Sequence, residues 1–553
     1  FLSGRLGAQD AVRIASAACS EHSGPSQCSA QAIARLSGLS RKSQNRALMK
    51  QFVESCPGVI EPPYIVKLPM AQSCPEVPGE VTVRDIEWPL YLPVFSIGKY
   101  LETESARKVS PELQRRREAW TREVRPDLQP TSVIPVGLYA DAAQFSKKDS
   151  VYGFSWNFIE SQERHFIGVV PKSFLCNCGC GGYHTVQRIL EVVAWSFRLM
   201  ALGVMPTVRH DGSELSEELT QYIGENTTSP VAALLEKRGD WSWIKSCFNF
   251  RSWASSNICW KCDAGRYELS FAEFSKQASW RKHLIDNDEF RARCARSSSG
   301  VNSALLDAPG FRVDYIAVDL LHCLDLGVAQ VAFGSVFYEY IQDSSYGPSK
   351  SERLKSLNLE LAQWYKKSPQ RSQVGRITES MIKSGTSSPT FSAKAAETRY
   401  MSGFVRELAA NWKGSQFSSE HKKLRQLLFE SLDEFYKTLH ADPWSPERAR
   451  RSGTDFLQYY GELHDKVRGR KAGSGDRPVT RDSLAWSIRP KFHLFQHLVE
   501  DQVQYLGNPK LYWTYVDESW IGKVSSLAAV TPQARAIWPQ VIGRLKLSEA
   551  LER

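Results

Sequence analysis

Three acidic residues lie in or next to apolar runs, where a carboxylate is a candidate for chemistry. Asp141 is inside the run Val133 to Ala143, Asp240 follows a second apolar run, and Asp319 is inside a third. An ionised carboxylate among apolar side chains is costly unless it is paired or binds a metal. Carboxylates that converge can hold two Mg²⁺ ions about 3.5–4 Å apart, which clamp the entering and leaving oxygens of a phosphodiester. The sequence therefore predicts metal-dependent phosphoryl-transfer chemistry.

Each of these acids has a structural alternative, and a fourth acid completes the set. Asp141 could cap a strand end, Asp240 could belong to a Gly-Asp turn, and Asp319 could cap a helix. Glu518 is adjacent to Asp517, and on a helix the two side chains point about 100° apart. We therefore predict that Glu518 is buried and turned toward Asp141, with Asp517 more exposed.

Two short cysteine runs indicate metal rather than disulfide chemistry. The first run has the spacing C-x-C-x-C-x3-H and comprises Cys176, Cys178, Cys180 and His184. The second, Cys259 and Cys262, is a C-x2-C half-site. A tetrahedral Zn²⁺ site needs four ligands, so we predict that Cys259 and Cys262 bind one Zn²⁺ with two ligands from the first run. Buried free thiols are the alternative, and whether both runs share one zinc stays open.

The composition is that of a folded globular protein. The chain has 553 residues, of which 42% are apolar and 24% charged. This excludes intrinsic disorder, collagen and coiled coil as descriptions of the whole. The formal charge of +10 is compatible with a nucleic-acid partner without demanding one. Basic clusters at Arg115 to Arg117 and at Lys466 to Arg477 would be solvated faces or, alternatively, phosphate contacts.

Neither a membrane span nor a secretion signal is visible in the sequence. The best apolar stretch, Ile189 to Met205, is interrupted by Glu191 and Arg198 and falls short of the ~18 clean residues that a span needs. The chain begins at Phe1 without an apolar signal core, so we expect a fragment or an internal start rather than a secreted protein.

Short strands and one amphipathic helix must position these residues. Apolar runs at 133–143, 151–159 and 164–170 predict three strands joined by short polar links, as hairpins require. Residues 185–202 predict a helix whose apolar residues share one face. The order of three strands, a helix, further strands and a late helical acid predicts an α/β fold. We expect an RNase H-like mixed sheet with helices, a zinc-type insertion and a large all-α insertion.

This order divides the chain into four parts. Residues 1–130 are predicted to be helical and Pro-rich, with 57–95 an extended connector. Residues 131–330 would form the RNase H-like core with its Cys-rich insertion. Residues 331–480 would be a helical insertion, and residues 481–553 would supply C-terminal helices that complete the core.

The helix that carries Glu518 is predicted to begin at Pro509, because proline is well placed in the first turn of a helix. The residues on its inner face would be Leu511, Tyr515, Glu518 and Gly522. Gly522 would let this helix approach the sheet closely around Glu518.

Five segments of the chain occur in an order that resembles a known family. They are GLYADAAQF, KRGDWSWIKSCFNFRSW, CWKC, VDLLHCLDLG and NPKLYWTYVDESWIG. Over about residues 135–525 this order is similar to that of eukaryotic DDE transposases with an RNase H-like core, especially the CACTA (EnSpm-like) and Kyakuja–Dileera–Zisupton superfamilies. The run 176–180 and the lack of a clear DNA-binding module in 1–130 depart from that pattern. The resemblance implies that Asp141 is the first acid, Asp240 the second and Glu518 the third. It also implies that Cys259 and Cys262 form the C-x2-C motif, and that Asp319 and His322 form the D-x2-H motif.

The resemblance also implies an activity. The chain would be a DDE-type transposase-like nuclear protein that uses Mg²⁺ to cleave DNA and transfer strands, with structural Zn²⁺ and with homo-oligomer formation. Asp141, Asp240 and Glu518 would hold the Mg²⁺ ions, and His322 would orient or contact the scissile phosphate. Asp319 stays a rival for the second acid. A catalytically inactive, transposon-derived module that binds nucleic acid or protein is the alternative, and an unrelated RNase H-like nuclease is a third reading.

Overall fold

A mixed β-sheet covered by helices forms the centre of the molecule. The computed structural model describes residues 61–73, 81–104, 109–249, 257–267, 269–295, 302–382, 388–468, 485–529 and 538–551. Residues 1–60, predicted to be largely helical, therefore lie outside the described residues.

The first described elements form a two-stranded antiparallel ribbon. Strand β1 (Tyr64–Ser73) pairs along its length with β2 (Val81–Leu90). The helical character predicted for the N-terminal region is therefore wrong for residues 64–73, and the Pro-rich connector predicted at 57–95 is largely this ribbon. Pro69 lies within β1, which fits the tolerance of a ribbon edge for a residue without an N–H donor.

The central sheet contains the three predicted strands and one more. Strands β3 (Ile134–Gln144), β4 (Ser150–Phe158) and β5 (His165–Pro171) form an antiparallel meander. Strand β6 (Ala232–Arg238) pairs in parallel with β3, which gives the order β5-β4-β3-β6. The α/β class with a mixed sheet is thereby confirmed. The run 315–321, grouped with the strands by sequence, forms a single parallel bridge from Ile316 to the end of β6.

Helices account for most of the remaining described chain. Those before and around the sheet are α1 (Pro93–Glu104), α2 (Pro111–Val124), α3 (Tyr183–Leu202), α4 (Glu217–Ile223), α5 (Trp241–Phe248) and α6 (Asn287–Ala295). Those that follow are α7 (Leu321–Gln342), α8 (Lys350–Lys367), α9 (Ala395–Tyr400), α10 (Ser402–Ala410), α11 (Ser419–Thr438), α12 (Pro446–Arg468), α13 (Pro490–His497), α14 (Tyr515–Ala529) and α15 (Trp538–Leu551). The described part of 331–480 is mostly helical, as its pattern predicts.

Helix α7 is a buried core helix. By length and composition alone it could cross a membrane, but 83% of its most apolar window is buried inside the protein, as in the core helix of a soluble protein. Its first eight residues, Leu321–Val328, are wound as a π-helix. The Lys491 ammonium donates to the carbonyls of His322 (2.6 Å) and Leu326 (3.3 Å), two groups in this irregular turn. Such π segments are frequent at functional sites, and this one carries His322.

Helix α2 explains one of the two basic clusters. Arg116 is buried and donates to the backbone carbonyls of Leu235 in β6 and Leu506, whereas Arg115 is exposed. Arg116 therefore holds α2 against the sheet. Most of the second cluster, 466–477, lies outside the described residues.

A buried lysine on β6 makes the stability of the fold depend on pH. The Lys237 side chain is 1% exposed, and its ammonium lies over the rings of Phe311 (4.6 Å) and Tyr315 (5.3 Å). Burial lowers the pKa of Lys237 from its usual 10.5 to about 7. Between these two pKa values the unfolded chain binds one proton more than the folded chain, so this residue makes the free energy of unfolding rise with pH.

Replacing Lys237 by Met should remove that contribution. Between pH 7 and pH 10 the free energy of unfolding of the wild type should rise relative to Lys237→Met, by up to about 1.4 kcal/mol per pH unit. Urea unfolding at several pH values measures the difference, with Lys366→Met, an exposed position on α8, as the matched control. Parallel pH profiles for the wild type and Lys237→Met would contradict the prediction.

Candidate active site

Two carboxylates and an imidazole from distant parts of the chain meet at one edge of the sheet. Asp141 lies near the end of β3, His322 in the π-helical start of α7, and Glu518 in the first turn of α14. Each offers one ligand atom, and these atoms all lie within 4.8 Å of one another. The predicted approach of Glu518 to Asp141 is therefore confirmed.

The carboxyl groups in this cluster are crowded. Burial, together with the negative charges of Asp240 and Glu518, raises the pKa of Asp141 to about 8. Burial also raises the pKa of Glu518, against the effect of nearby His322 and of a hydrogen bond with Asp141. Like charges at such short range disfavour joint ionisation, so a cation between them would be strongly stabilised.

Tyr139 bridges the two carboxylates and was missed by the sequence analysis. Its buried hydroxyl donates toward Asp141 Oδ2 (3.4 Å) and Glu518 Oε1 (3.3 Å). Because side chains alternate along a strand, Tyr139 and Asp141 share one face of β3. The spacing of two residues between Tyr139 and Asp141 was the sequence signal that could have identified Tyr139 as part of the site.

Asp319 lies behind His322 rather than in the cluster. Its buried carboxylate lies 2.7 Å from His322 Nδ1 and accepts hydrogen bonds from the backbone N–H groups of His322 and Leu321. It also accepts from the N–H (3.0 Å) and hydroxyl (2.9 Å) of Thr514. Burial opposes ionisation of Asp319, but the contacts with His322 prevail and lower its pKa. Asp319 thus fixes the imidazole, and Thr514 ties this arrangement to the start of α14.

The imidazole of His322 is held with its second nitrogen facing the acids. With Nδ1 at Asp319, its Nε2 lies 3.7 Å from Glu518 Oε1. Burial lowers the pKa of His322, but the hydrogen bond and charge of Asp319, helped by Glu518 and Asp141, raise it to about 9. His322 therefore carries the positive charge nearest to the two acids.

Asp240 is next to the cluster at the end of β6. Tyr139 of β3 and Arg238 of β6 are partners in the parallel pairing. Asp141 and Asp240 each lie two residues further along their chain segments, at the same end of this strand pair. Asp240 also caps α5, since its Oδ1 accepts the Trp243 N–H at 2.6 Å. Asp240 therefore has a structural role, as a helix cap rather than the turn residue considered from the sequence, while its charge still acts on Asp141.

Asp517 is the buried member of the Asp517–Glu518 pair. Its side chain is 0% exposed and pairs with Arg164 and with Arg238, whereas the Glu518 side chain is 36% exposed. The predicted order of exposure is therefore wrong. The physical reason is that two buried guanidinium groups, on β6 and just before β5, attract the nearer acid of α14.

Gly153 on the sheet, rather than Gly522, allows α14 to approach. A side chain at Gly153 of β4 would meet Ile521 Cδ1 at 2.3 Å, whereas Gly522 faces open space. At Gly137 of β3, a Cβ would lie 2.9 Å from the Arg238 guanidinium. The predicted start of the helix also moves: Pro509–Leu511 is a separate 3₁₀ turn, and α14 begins at Tyr515.

A mostly apolar cavity of about 760 Å³, with four basic residues in its lining, opens beside the acids. Asp240, Asp319 and His322 line one side of it. The rings of Trp241 and Trp260, also in its wall, lie 4.8 Å apart. The basic residues in the lining are Lys245, Arg266, Arg489 and Lys491.

Cys259 and Cys262 meet two histidines from α13. Cys262 Sγ lies 3.1 Å from His493 Nε2 and 3.3 Å from His497 Nε2, and the four ligand atoms lie within 4.8 Å of one another. The predicted partnership with the 176–184 run is therefore wrong, because α13 is closer in the fold. The spacing H-x3-H, which puts both imidazoles on one helix face, was the missed signal.

This Cys₂His₂ group has the surroundings of a metal site. His497 Nδ1 lies 2.7 Å from Asp501 Oδ2, which leaves Nε2 directed at the cysteines. The N–H groups of Lys261 and Ala264 donate to the sulfurs of Cys259 and Cys262. The donor set and its supporting hydrogen bonds fit Zn²⁺. The run Cys176, Cys178, Cys180 and His184 forms a separate group of its own.

The two neighbouring acids of α14 should respond oppositely to neutralisation. Asp517→Asn leaves buried Arg164 without its counter-ion and Arg238 with Glu236 alone, and should lower the free energy of unfolding by about 3–5 kcal/mol. Glu518→Gln removes a charge from a crowded site and should change it by less than about 1 kcal/mol. Chemical unfolding without divalent cations measures both. A larger loss in Glu518→Gln than in Asp517→Asn would refute the assignment of the buried anchor.

Comparison with known proteins gives no family for this chain. No family model matches it, and no curated protein matches it. The clearest indication of function is therefore the convergence of Asp141, His322 and Glu518 at the end of β3.

Proposed function

We propose that this protein is a DDE-type transposase-like enzyme with an RNase H-like core, which cleaves DNA phosphodiesters and transfers strands with the help of Mg²⁺. One observation carries the proposal: the crowded group of Asp141, His322 and Glu518, with Asp240 beside it, at the edge of the central sheet. The sheet order, with β6 parallel to β3, supports the core assignment, since it puts two acids at the ends of neighbouring parallel strands.

The donor chemistry of the group fits Mg²⁺. Its carboxylate oxygens are the ligand type that Mg²⁺ prefers, and a divalent cation would offset the burial and the neighbouring negative charges that raise the pKa of Asp141. Asp141, Glu518 and Asp240 would hold the metal. When bound, Mg²⁺ would activate the attacking water or 3′-hydroxyl and stabilise the departing oxygen.

The remaining polar residues would orient the reactants. Asp319 and Thr514 would act as positioning residues, because they fix the imidazole of His322. His322 Nε2 would then face a phosphate oxygen beside the acids. Tyr139 would keep the Asp141 and Glu518 carboxylates at a constant separation. This division of roles favours Asp240 over Asp319 as the second acid.

The cavity next to the acids would receive the DNA. The exposed Lys245 and Arg266 in its lining can neutralise phosphates, which supplies affinity without reading sequence. Half-buried Trp241, which packs against buried Trp260, offers a face on which an unpaired base can stack. DNA as the partner and the nucleus as the place of action follow from this proposal.

A non-catalytic descendant that binds nucleic acid or protein is the second candidate. Asp240 caps α5, and Asp319 accepts hydrogen bonds from the backbone of His322 and Thr514. These two acids therefore stabilise the fold, and an inactive protein would also retain them. The two candidates differ in one property. The enzyme needs Mg²⁺ at Asp141, whereas the binding module does not.

Neutralising Asp141 or Glu518 should abolish the chemistry. With supercoiled plasmid and a labelled 3′-hydroxyl oligonucleotide, the full chain should nick and join DNA in the presence of Mg²⁺. Asp141→Asn and Glu518→Gln should reduce both products by about 10²–10³-fold, because each removes charge that would hold the metal at the reacting phosphate. Glu407→Gln, an exposed acid on α10, is the matched control.

Metal binding separates the two candidates without relying on turnover. Calorimetric titration should show Mg²⁺ binding by the wild type and weakened binding by Asp141→Asn. If the wild type and Asp141→Asn bind DNA equally well and neither depends on Mg²⁺, the binding module would be favoured.

Replacing Asp319 by Asn should lower the rate of DNA cleavage about 10–100-fold, as expected for a residue that orients another.

Zn²⁺ in the Cys₂His₂ group would staple the segment 257–267 to α13 beside the cavity. Cys262→Ser and His497→Ala should each release one Zn²⁺ per chain, measured by elemental analysis, and lower the thermal midpoint. Cys323→Ser, a buried cysteine outside both metal groups, is the control. Full retention of zinc in both variants would contradict the assignment.

A further inference from the structure

The loop between β5 and α3 contains a compact set of metal ligands that the proposed DNA chemistry does not use. The set consists of Cys176, Cys178, Cys180 and His184, and all four ligand atoms lie within 4.8 Å of one another. Cys176 is buried, Cys180 half-buried and Cys178 exposed. His184 lies in the first turn of α3.

Two nitrogen–sulfur distances within this set are close to that of a tetrahedral zinc centre. With Zn–S of about 2.3 Å and Zn–N of about 2.0–2.1 Å, tetrahedral geometry puts sulfur and nitrogen about 3.5 Å apart. His184 Nδ1 lies 3.3 Å from Cys178 Sγ and 3.9 Å from Cys176 Sγ, which brackets that value. Three thiolates and one imidazole complete a closed coordination sphere from within nine residues.

The backbone of the loop is shaped to bring the ligands together. Gly179, Gly181 and Gly182 all have positive φ values (94°, 61° and 87°), which ordinary residues rarely adopt. Two turn hydrogen bonds close the loop, from Gly182 N–H to Cys176 O (3.1 Å) and from Tyr183 N–H to Cys180 O (3.2 Å). The cysteines precede a 20-residue helix, whose N-terminus favours negative charge and so favours thiolates.

We propose that this loop is a second, independent Zn²⁺ site of the Cys₃His type, bound by Cys176, Cys178, Cys180 and His184. Its role is structural, since four protein ligands leave no open coordination position. It does not depend on the proposed DNA chemistry or on the Cys₂His₂ group.

The site joins the N-terminal ribbon to the central domain. Leu175, next to the first ligand, forms an antiparallel bridge with Met70 of β1. Thr185, next to the last ligand, accepts the Cys176 N–H at 2.8 Å and donates to Pro69 O at 2.5 Å. Zn²⁺ at this point fixes the start of α3 and the edge of the ribbon together.

Zinc stoichiometry in the full chain, purified under reducing conditions, tests the proposal. The wild type should hold two Zn²⁺ per chain if both groups are loaded. Cys178→Ser, at an exposed position that the fold tolerates, should lose one Zn²⁺, and His184→Ala should lose the same one. Cys294→Ala, a buried cysteine outside both groups, should lose none. Unchanged zinc in Cys178→Ser and His184→Ala would overturn the proposal.

Cysteine alkylation followed by mass spectrometry gives a second readout that does not depend on variants. In the zinc-loaded protein Cys178 should react slowly despite its exposure, and a chelator should accelerate its alkylation at least tenfold. Equal rates with and without chelator would overturn the proposal. A disulfide between Cys178 and Cys180 in freshly reduced protein, seen as a mass lower by two hydrogens, would also overturn it.

Discussion

The position of the candidate active site depends on one buried ion cluster, in which Asp517 lies between Arg164 and Arg238. Arg238 belongs to β6 and Arg164 precedes β5, and these are the two outer strands of the sheet. Because Asp517 of α14 pairs with both arginines, the cluster fixes α14 across the sheet. A single anchored residue sets the rotation of the whole helix. Glu518 lies about 100° further around the helix and is thereby directed to Asp141 near the end of β3.

The two adjacent acids of α14 show how a fold can assign contrasting electrostatic environments to neighbours. Asp517 is buried but fully compensated, and its arginine partners hold its pKa below the usual range in spite of burial. The side chain of Glu518 is partly exposed, yet burial of its carboxyl group raises its pKa against the effects of His322 and Asp141. One acid stabilises the fold, and the other lies beside Asp141, whose pKa is raised by burial and by the charges of Asp240 and Glu518. This grouping of carboxylates is the physical basis for expecting a cation beside Asp141.

The sequence predicted the parts of this site that local patterns determine. Strands β3, β4 and β5, helix α3 and the positions of Asp141 and Glu518 follow from hydrophobic periodicity. Long-range partners do not follow from it. The burial of Asp517 depends on arginines more than 270 residues away along the chain, and the partners of Cys259 and Cys262 come from α13. Where a local signal did exist, as in the H-x3-H spacing of His493 and His497, it was specific enough to have been used.

The contact between Cys262 and His493 also has a topological consequence. These residues are 231 positions apart, yet their side chains touch, so the helical region between them leaves and re-enters the central domain at nearly the same point. The entropy of closing such a loop grows only logarithmically with its length, at about 0.6 kcal/mol per doubling. The helices that follow α7 can therefore lengthen or shorten at little cost in closure entropy, while α7 keeps His322 beside Asp141 and Glu518.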